Sequence, residues 1–269
     1  QQHGYSNVLL ARYLLPLGGA LWSCDTQTFR NFPMRFVLEF LRNHEMLQIG
    51  SRPAWRTVSG GSRHYVERLA GHLGSRLRLN QHVMGVARKG RGVEVCFTDG
   101  GRQTFDEAVL ATHADTSLAL LADAEDEEQA LLGTFPYQDN VVCLHSDTRV
   151  LPRTRRAWAS WNYRIRKGGQ DGTCVTYNMN KLQALESPTT FCVSLNQQED
   201  LQPDQILHQE TVRHPLFVPG RDKAQANHPK MIRRRGLSYC GAYWGFGFHE
   251  DGVRSAVSVC DAFGVERPF

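Results

Sequence analysis

From Tyr239 to Ser255 the chain reads Tyr-Cys-Gly-Ala-Tyr-Trp-Gly-Phe-Gly-Phe-His-Glu-Asp-Gly-Val-Arg-Ser. Gly241, Gly245 and Gly247 alternate with Tyr243, Trp244, Phe246 and Phe248, and Gly252 follows where a helix should begin. Glycines let the backbone approach a flat ligand, and aromatic side chains can wall it. The free N–H groups of a helix N-terminus favour an electron-rich or anionic group. His249, Glu250 and Asp251 stand at the same place and are candidates for handling protons. Each also has a plain reading: the two acids suit a helix N-terminus, and the histidine can fill a hydrogen-bonding slot. Together these features suit a flavin ring and its diphosphate tail. An aromatic core loop before a packing helix is the alternative.

The elements that must position this stretch follow from the pattern upstream. Residues 5–17 and 27–48 read as helices, the second with Phe29, Phe32, Phe36, Phe40, Leu41 and Leu47 at mostly three- and four-residue spacing. Pro16 to Trp22 reads as a bend between them. The apolar pair could line a substrate pocket or simply pack a core. A short strand from Trp55 to Val58 is expected to run into Gly60-Gly61, with Ser62 capping a helix. Leu77 to Thr112 changes to strands: Val93, Val95 and Phe97 alternate before the turn Asp99-Gly100-Gly101, and Phe105 resumes the pairing. Ala108-Val-Leu-Ala111 is continuously apolar, as for a strand buried on both faces, and ends in His113, where ligands approach open α/β sheets.

Residues 116–133 read as helix with a solvated acidic face at Asp123–Glu128. Tyr137 to about Thr211 reads as an antiparallel sheet, and Gln202 to Arg235 as polar surface connection. The implied organisation is a helical part of a substrate domain at 1–54, a cofactor-binding segment with a β-meander at 55–133, an antiparallel-sheet substrate domain at 134–235 and a closing cofactor-binding segment at 236–269. The fold class is mixed α/β, with a partial Rossmann-like domain beside the antiparallel sheet.

Composition narrows the function. The 269 residues are 41% hydrophobic and 22% charged, an ordinary globular balance. The net charge of +4 is mild, and Arg153–Arg156 and Arg233–Arg235 are short separate clusters, so no nucleic-acid partner is expected. No apolar run approaches the ~18 residues of a transmembrane helix. Seven cysteines are scattered singly, without metal-like pairing, which suggests buried thiols in a reducing, cytoplasmic compartment. No HxxxH or HExxH pattern supports a metal site. The chain opens on Gln1, not methionine, and its first segment, Tyr5 to Leu17, already reads as an apolar helix, which suggests a longer natural N-terminus.

The motifs Trp55-Arg-Thr-Val-Ser-Gly-Gly-Ser62, Phe105-Asp-Glu-Ala-Val-Leu-Ala-Thr-His-Ala-Asp115 and Cys240–Ser255, in this order, resemble the flavin-containing amine oxidoreductase superfamily. More narrowly they resemble its branch of predicted FAD-binding proteins associated with cyclopropane-fatty-acid synthases, as do Ala157–Tyr163 and Tyr177–Gln183. The resemblance implies an FAD-dependent oxidoreductase, possible functional association with such a synthase, and a small-molecule or lipid-like substrate. Carried over, Gly60 and Gly61 lie near the flavin, the Val83 backbone meets the adenine, and Gly241 and Ala242 contact the ribityl–diphosphate region. Gly252 and Val253 offer backbone N–H groups to the flavin ring, while Trp244 and Phe248 wall the substrate cavity.

Two departures qualify that picture. No Gly-x-Gly-x-x-Gly turn occurs, so the usual diphosphate grip and its ribose carboxylate are not in this sequence. The strand Asn140–His145 carries no lysine where many amine oxidases have one, which argues against amine oxidation itself. Ala256 also replaces a glycine common in relatives. A second reading follows from the same departures: a partner-binding or regulatory module that keeps the fold with weakened FAD binding.

Overall fold

The computed structural model describes residues 4, 6–48, 50, 56–165 and 173–265. The chain begins with α1 (Asn7–Leu9), a π-helical turn (Leu10–Leu14), α2 (Leu15–Leu21), α3 (Thr26–Arg30), α4 (Met34–Asn43) and α5 (Arg63–Leu73). Strands β1 (Val83–Lys89), β2 (Gly92–Phe97), β3 (Arg102–Phe105) and β4 (Ala108–Leu110) lead to α6 (Ala114–Leu120) and α7 (Asp126–Leu132). Then come β5 (Tyr137–His145), β6 (Trp161–Ile165), β7 (Thr173–Asn178), α8 (Met179–Leu182), β8 (Cys192–Leu195) and β9 (Ile206–Pro215). The chain closes with α9 (Arg221–Ala226), β10 (Leu237–Tyr239) and α10 (His249–Ala262). It divides into two compact units, Gln1–Gly74 with Gln138–Leu216, and Ser75–Tyr137 with Phe217–Phe269.

In the first unit, the expected bend at Pro16 is instead helical. Pro16 sits in the first turn of α2, directly after the π-helical turn. A proline brings no N–H to a helix start, so that position tolerates it. Gly18 is needed there because a Cβ would lie 2.0 Å from the Phe29 ring. The expected single helix at 27–48 is broken by Asn31–Pro33 into α3 and α4, since proline disfavours helical geometry in the residue before it. Asp25 caps α3, accepting the Thr28 N–H at 2.8 Å. The two pieces fold around Trp22, whose ring stacks on Phe29 at 5.7 Å and meets Phe40 edge-on at 4.9 Å.

Trp55, the start of the expected strand, lies outside the described residues, and residues 56–58 are not in a strand. Gly60 and Gly61 take positive φ (+77° and +89°), and the Gly61 N–H closes a turn on the Val58 carbonyl at 2.9 Å. Ser62 precedes α5, yet its side chain makes no capping bond.

The sheet of this unit has the order β6-β7-β8-β5-β9. Thr176 pairs with Ser194, which in turn pairs with Cys143, so one buried row crosses three strands. Polar groups in and beside it hydrogen-bond to one another. The Asp147 N–H donates to His145 Nδ1 at 3.1 Å, which leaves Nε2 as the protonated nitrogen, 2.8 Å from Ser194 Oγ. Ser194 and Thr176 hydroxyls lie 2.7 Å apart, and Gln197 donates to Thr176 at 3.0 Å. The stretch read as polar connection contains β9, an edge strand carrying His208, Glu210 and Arg213. Charged side chains suit an edge because they discourage further pairing.

In the second unit, β1, β2 and β3 form the expected antiparallel meander, with a bulge between Val83 and Gly85. Leu77 and Leu79 precede it outside any strand. β4 pairs in parallel with β10, Leu110 opposite Tyr239. The expectation that β4 is buried on both faces fails at Val109, which is 46% exposed, so one face of the strand is open there. The acidic stretch is likewise not a wholly solvated face. The expected helix breaks at residues 121–125, the acidic stretch runs on into the first turn of α7, and Glu128 there is fully buried, 2.5 Å from Arg88 and 2.6 Å from the Tyr239 hydroxyl. A buried carboxylate requires such partners.

Candidate functional site

Parallel pairing of β4 and β10 sets their carboxyl ends side by side, and the Cys240 N–H extends the ladder to the Leu110 carbonyl at 3.1 Å. In open α/β sheets this end is where ligands bind. Two loops leave it. One passes Thr112 and His113 into α6, with His113 stacked on Tyr137 at 4.4 Å and the Tyr137 hydroxyl accepting the Ala114 N–H at 3.0 Å. The other is Gly241–Phe248, which leads into the 14-residue α10.

The second loop is pinned at both ends. Ser255 Oγ accepts the Gly241 N–H at 2.9 Å and donates to the Gly252 carbonyl at 2.8 Å. Asp251 accepts the Phe248 N–H at 3.1 Å, which caps the helix start. Glycine is required at two points by close approach. A Cβ on Gly241 would lie 2.6 Å from the Tyr243 ring, and one on Gly245 would lie 2.2 Å from the Asp251 carboxylate. At Gly252 the helix runs past the Ala242 backbone at ordinary contact distance.

Beneath the loop, α9 supplies two side chains. Arg221 Nη2 donates to the Tyr243 carbonyl at 2.9 Å, and Gln225 donates to the carbonyls of Tyr243 (2.9 Å) and Gly245 (2.6 Å). The Arg221 guanidinium is buried and lies over the Phe217 ring at 3.6 Å and the Phe135 ring at 5.1 Å. Burial lowers its pKa to about 9, opposed by the electrostatic influence of Tyr137 and Asp251. It therefore remains a cation at neutral pH. Burial likewise raises the Tyr243 phenol far above its ordinary range. His228 stacks on Trp244 at 4.5 Å and donates from Nε2 to the Tyr239 carbonyl at 2.8 Å.

Gly241, Ala242, Trp244, Phe248, Gly252 and Val253 thus belong to one turn-and-helix unit. Trp244 is buried against Phe135, Tyr243 and His228, and Phe248 is at the exposed helix start. Val83 opens β1 in the same unit of the chain, whereas Gly60 and Gly61 belong to the other. Of the three proton-handling candidates, Asp251 is committed to the helix cap. His249 and Glu250 are exposed in the first turn, Glu250 with Arg254 at 3.9 Å. The Gly252 N–H is already given to the Phe248 carbonyl at 3.2 Å. The N–H groups that a helix leaves without an internal acceptor are those of its first turn, here His249 and Glu250.

Arg221, Gln225, His228 and Ser255 were not singled out by the sequence. Ser255 alone had a local signal, its three-residue spacing from Gly252 on one helix face. The glycine approach points, the adjacent parallel strand ends and the helix N-terminus fit one part of a flavin dinucleotide. The group needs a diphosphate turn as well, which this sequence does not contain.

This combination suits a flavin site, and the fold that carries it mixes helices with antiparallel sheets. The family model for flavin containing amine oxidoreductase matches residues 2–151, more than half of the chain. The chain belongs to that family, whose cofactor is FAD. Its fold is shared with a CLA-producing fatty acid isomerase from P. acnes, at TM-score 0.63 and 17% identity over 93% of this chain and 63% of that one. It is also similar to reduced UDP-galactopyranose mutase (TM-score 0.61, 11% identity, 97% and 66% covered). Cyclohexylamine oxidase from Brevibacterium oxydans IH-35A is a third (TM-score 0.59, 12% identity, 93% and 64% covered). The chain thus spans slightly less than two thirds of the length of each. A comparison with curated protein sequences returned no match. Among the described residues no helix is long and apolar enough to cross a membrane.

Proposed function

We propose that this chain serves an FAD-dependent oxidoreductase that moves two electrons between an apolar, lipid-like substrate and flavin. The observation that carries the redox reading is the pinned Gly241–Phe248 loop at the carboxyl ends of β4 and β10. FAD, when bound, supplies two-electron exchange. The chain's own residues supply the rest. Gly241 and Ala242 give bare backbone to the ribityl–diphosphate region, and the opening of α10 through Gly252 and Val253 faces the ring. Val83, in the same unit, adds a cofactor contact, and Gly60 and Gly61 offer bare backbone within their own unit. Phe248 contributes aromatic surface, with Trp244 packed against Tyr243. His249 and Glu250 are placed to exchange protons with solvent, while Asp251 holds the helix start.

An apolar substrate accords with the aromatic helices α2–α4 and with the absence of lysine from Asn140–His145. One of the proteins that share the fold is named as a fatty acid isomerase. Association with a cyclopropane-fatty-acid synthase belongs to the same reading, since such an enzyme handles acyl chains.

The test is a titration of the full chain with FAD, followed by its visible spectrum and reduction by dithionite. Weak binding of a reducible flavin, weakened further by Gly252→Val, is expected. A folded chain that leaves FAD free would reject cofactor binding by these residues and favour a partner-binding module.

A further inference from the structure

The helices α1–α4 enclose a cavity of about 290 Å³ that the redox site does not use. Its floor is made by Leu15, Leu17, Trp22, Phe32 and Val37, all buried. Its rim is made by Leu14, Met34, Leu38 and Leu47, all substantially exposed, with Met34 at 67%. A packing void would be sealed, whereas this one opens through apolar side chains held in water. Exposed apolar rims mark binding sites, and the volume lies near the lower end of the ~300–1,000 Å³ typical of small-molecule sites. Among the residues lining the cavity, Arg30 is the one with a charge. It is exposed at the end of α3, and the Asp25 carboxylate of that helix is occupied by Thr28.

From this we infer that the cavity is a binding site for one hydrocarbon chain ending in an anionic headgroup, the chain lying against the Trp22 floor and the headgroup held by Arg30. The assignment deepens the apolar-substrate reading above and rests on it for its chemistry. The binding itself requires no flavin. An apolar interior favours the chain by excluding water, and a guanidinium suits a carboxylate through paired N–H donors. Neutral chains of the same length should therefore bind, but more weakly.

Calorimetric titration of the flavin-free full chain with decanoate and with 1-decanol tests this. Decanoate is expected to bind more tightly. Arg30→Glu should weaken decanoate about tenfold, a change of about 1.4 kcal/mol, and leave decanol within about twofold. Leu38→Glu at the rim should weaken both. Both positions are exposed, and an unchanged circular dichroism spectrum confirms that each variant folds. Absence of binding, or equal effects of Arg30→Glu on both probes, overturns the assignment. So does loss of self-association in Leu38→Glu without any binding by the unaltered chain, which would give the rim to a second copy. A chain that binds decanoate yet never loads FAD would reject the redox reading and keep this one.

Discussion

Ser255 holds Gly241 by a 2.9 Å hydrogen bond across the loop that separates them by 14 positions, and its hydroxyl donates a hydrogen bond to the Gly252 carbonyl at 2.8 Å. One hydroxyl therefore sets the distance between the end of β10 and the opening turns of α10. Removing it leaves the Gly241 N–H without that acceptor. Ser255→Ala should cost about 1 kcal/mol of stability, the usual net value of such a bond. FAD affinity should fall several-fold, since both glycine contacts shift together. Urea unfolding and quenching of flavin fluorescence measure the two effects. Unchanged flavin affinity in a destabilised variant would separate Ser255 from the site.

Arg221 is a buried cation whose function is to orient backbone. It is sandwiched by Phe217 and Phe135 and reaches the Tyr243 carbonyl. Arg221→Lys keeps the charge but loses the flat stacking and the fork of donors, so it should be the more damaging change. Arg221→Met removes the buried charge with a side chain of similar length and leaves the Tyr243 carbonyl to Gln225, whereas lysine would bury a charge without the stacking. The expected pattern is a lower melting temperature for Lys than for Met, with weaker FAD binding in both. A Lys variant that matches the unaltered protein in both measurements would show that the stacking contributes nothing.

The parts of the fold that were legible in the sequence are those fixed by local chemistry. The meander follows from strict alternation at Val93, Val95 and Phe97 and from the turn at Asp99–Gly101. The glycine-aromatic turn before α10 follows from its own composition. What could not be read depends on partners distant along the chain. Glu128 looks solvated until Arg88, 40 residues earlier, and Tyr239, 111 residues later, close over it. β9 looks like surface connection because an edge strand is polar on purpose, and only its place beside β5 identifies it. Arg221 lies 22 positions before the carbonyl it holds. Pro16 and Pro33 show the limit of proline as punctuation, since the first starts a helical segment and the second divides one.

Acid stability should depend on Asp147. Arg149 binds its carboxylate through side-chain hydrogen bonds, and the main-chain N–H groups of Gln202 and Arg149 add to them, holding its pKa at about 2 against the opposing effect of burial. A carboxyl depressed in the folded state stabilises above its ordinary pKa, and that contribution disappears as pH falls from about 4 towards 2. Asp147→Asn should remove on the order of 2 kcal/mol at pH 7 and flatten the loss of stability between pH 4 and 2. Chemical denaturation midpoints across that range decide the matter. Parallel curves for the two proteins would rule out Asp147 as the responsible group.

A second pH effect, near neutrality, should come from His228. Its ring is buried against Trp244, and its Nε2–H is given to the Tyr239 carbonyl. Burial lowers its pKa below the ordinary value, with the carbonyl acting in the opposite direction. Protonation would add a charge and a second N–H to an apolar surrounding. Below the ordinary histidine pKa of ~6.5 the unfolded chain therefore binds more protons than the folded one, so stability falls as pH drops. Above it, the contribution is level. The buried His145 has the same sign, so the unaltered protein carries both slopes. His228→Gln retains a donor for the Tyr239 carbonyl but cannot titrate, and it should show a shallower decline between about pH 6.5 and 5. The difference between the two curves isolates His228, and tryptophan fluorescence should report the change because the ring lies on Trp244. Equal slopes would mean that the folded state takes up the His228 proton as readily as the unfolded chain does, and the lowering of its pKa by burial would have to be abandoned.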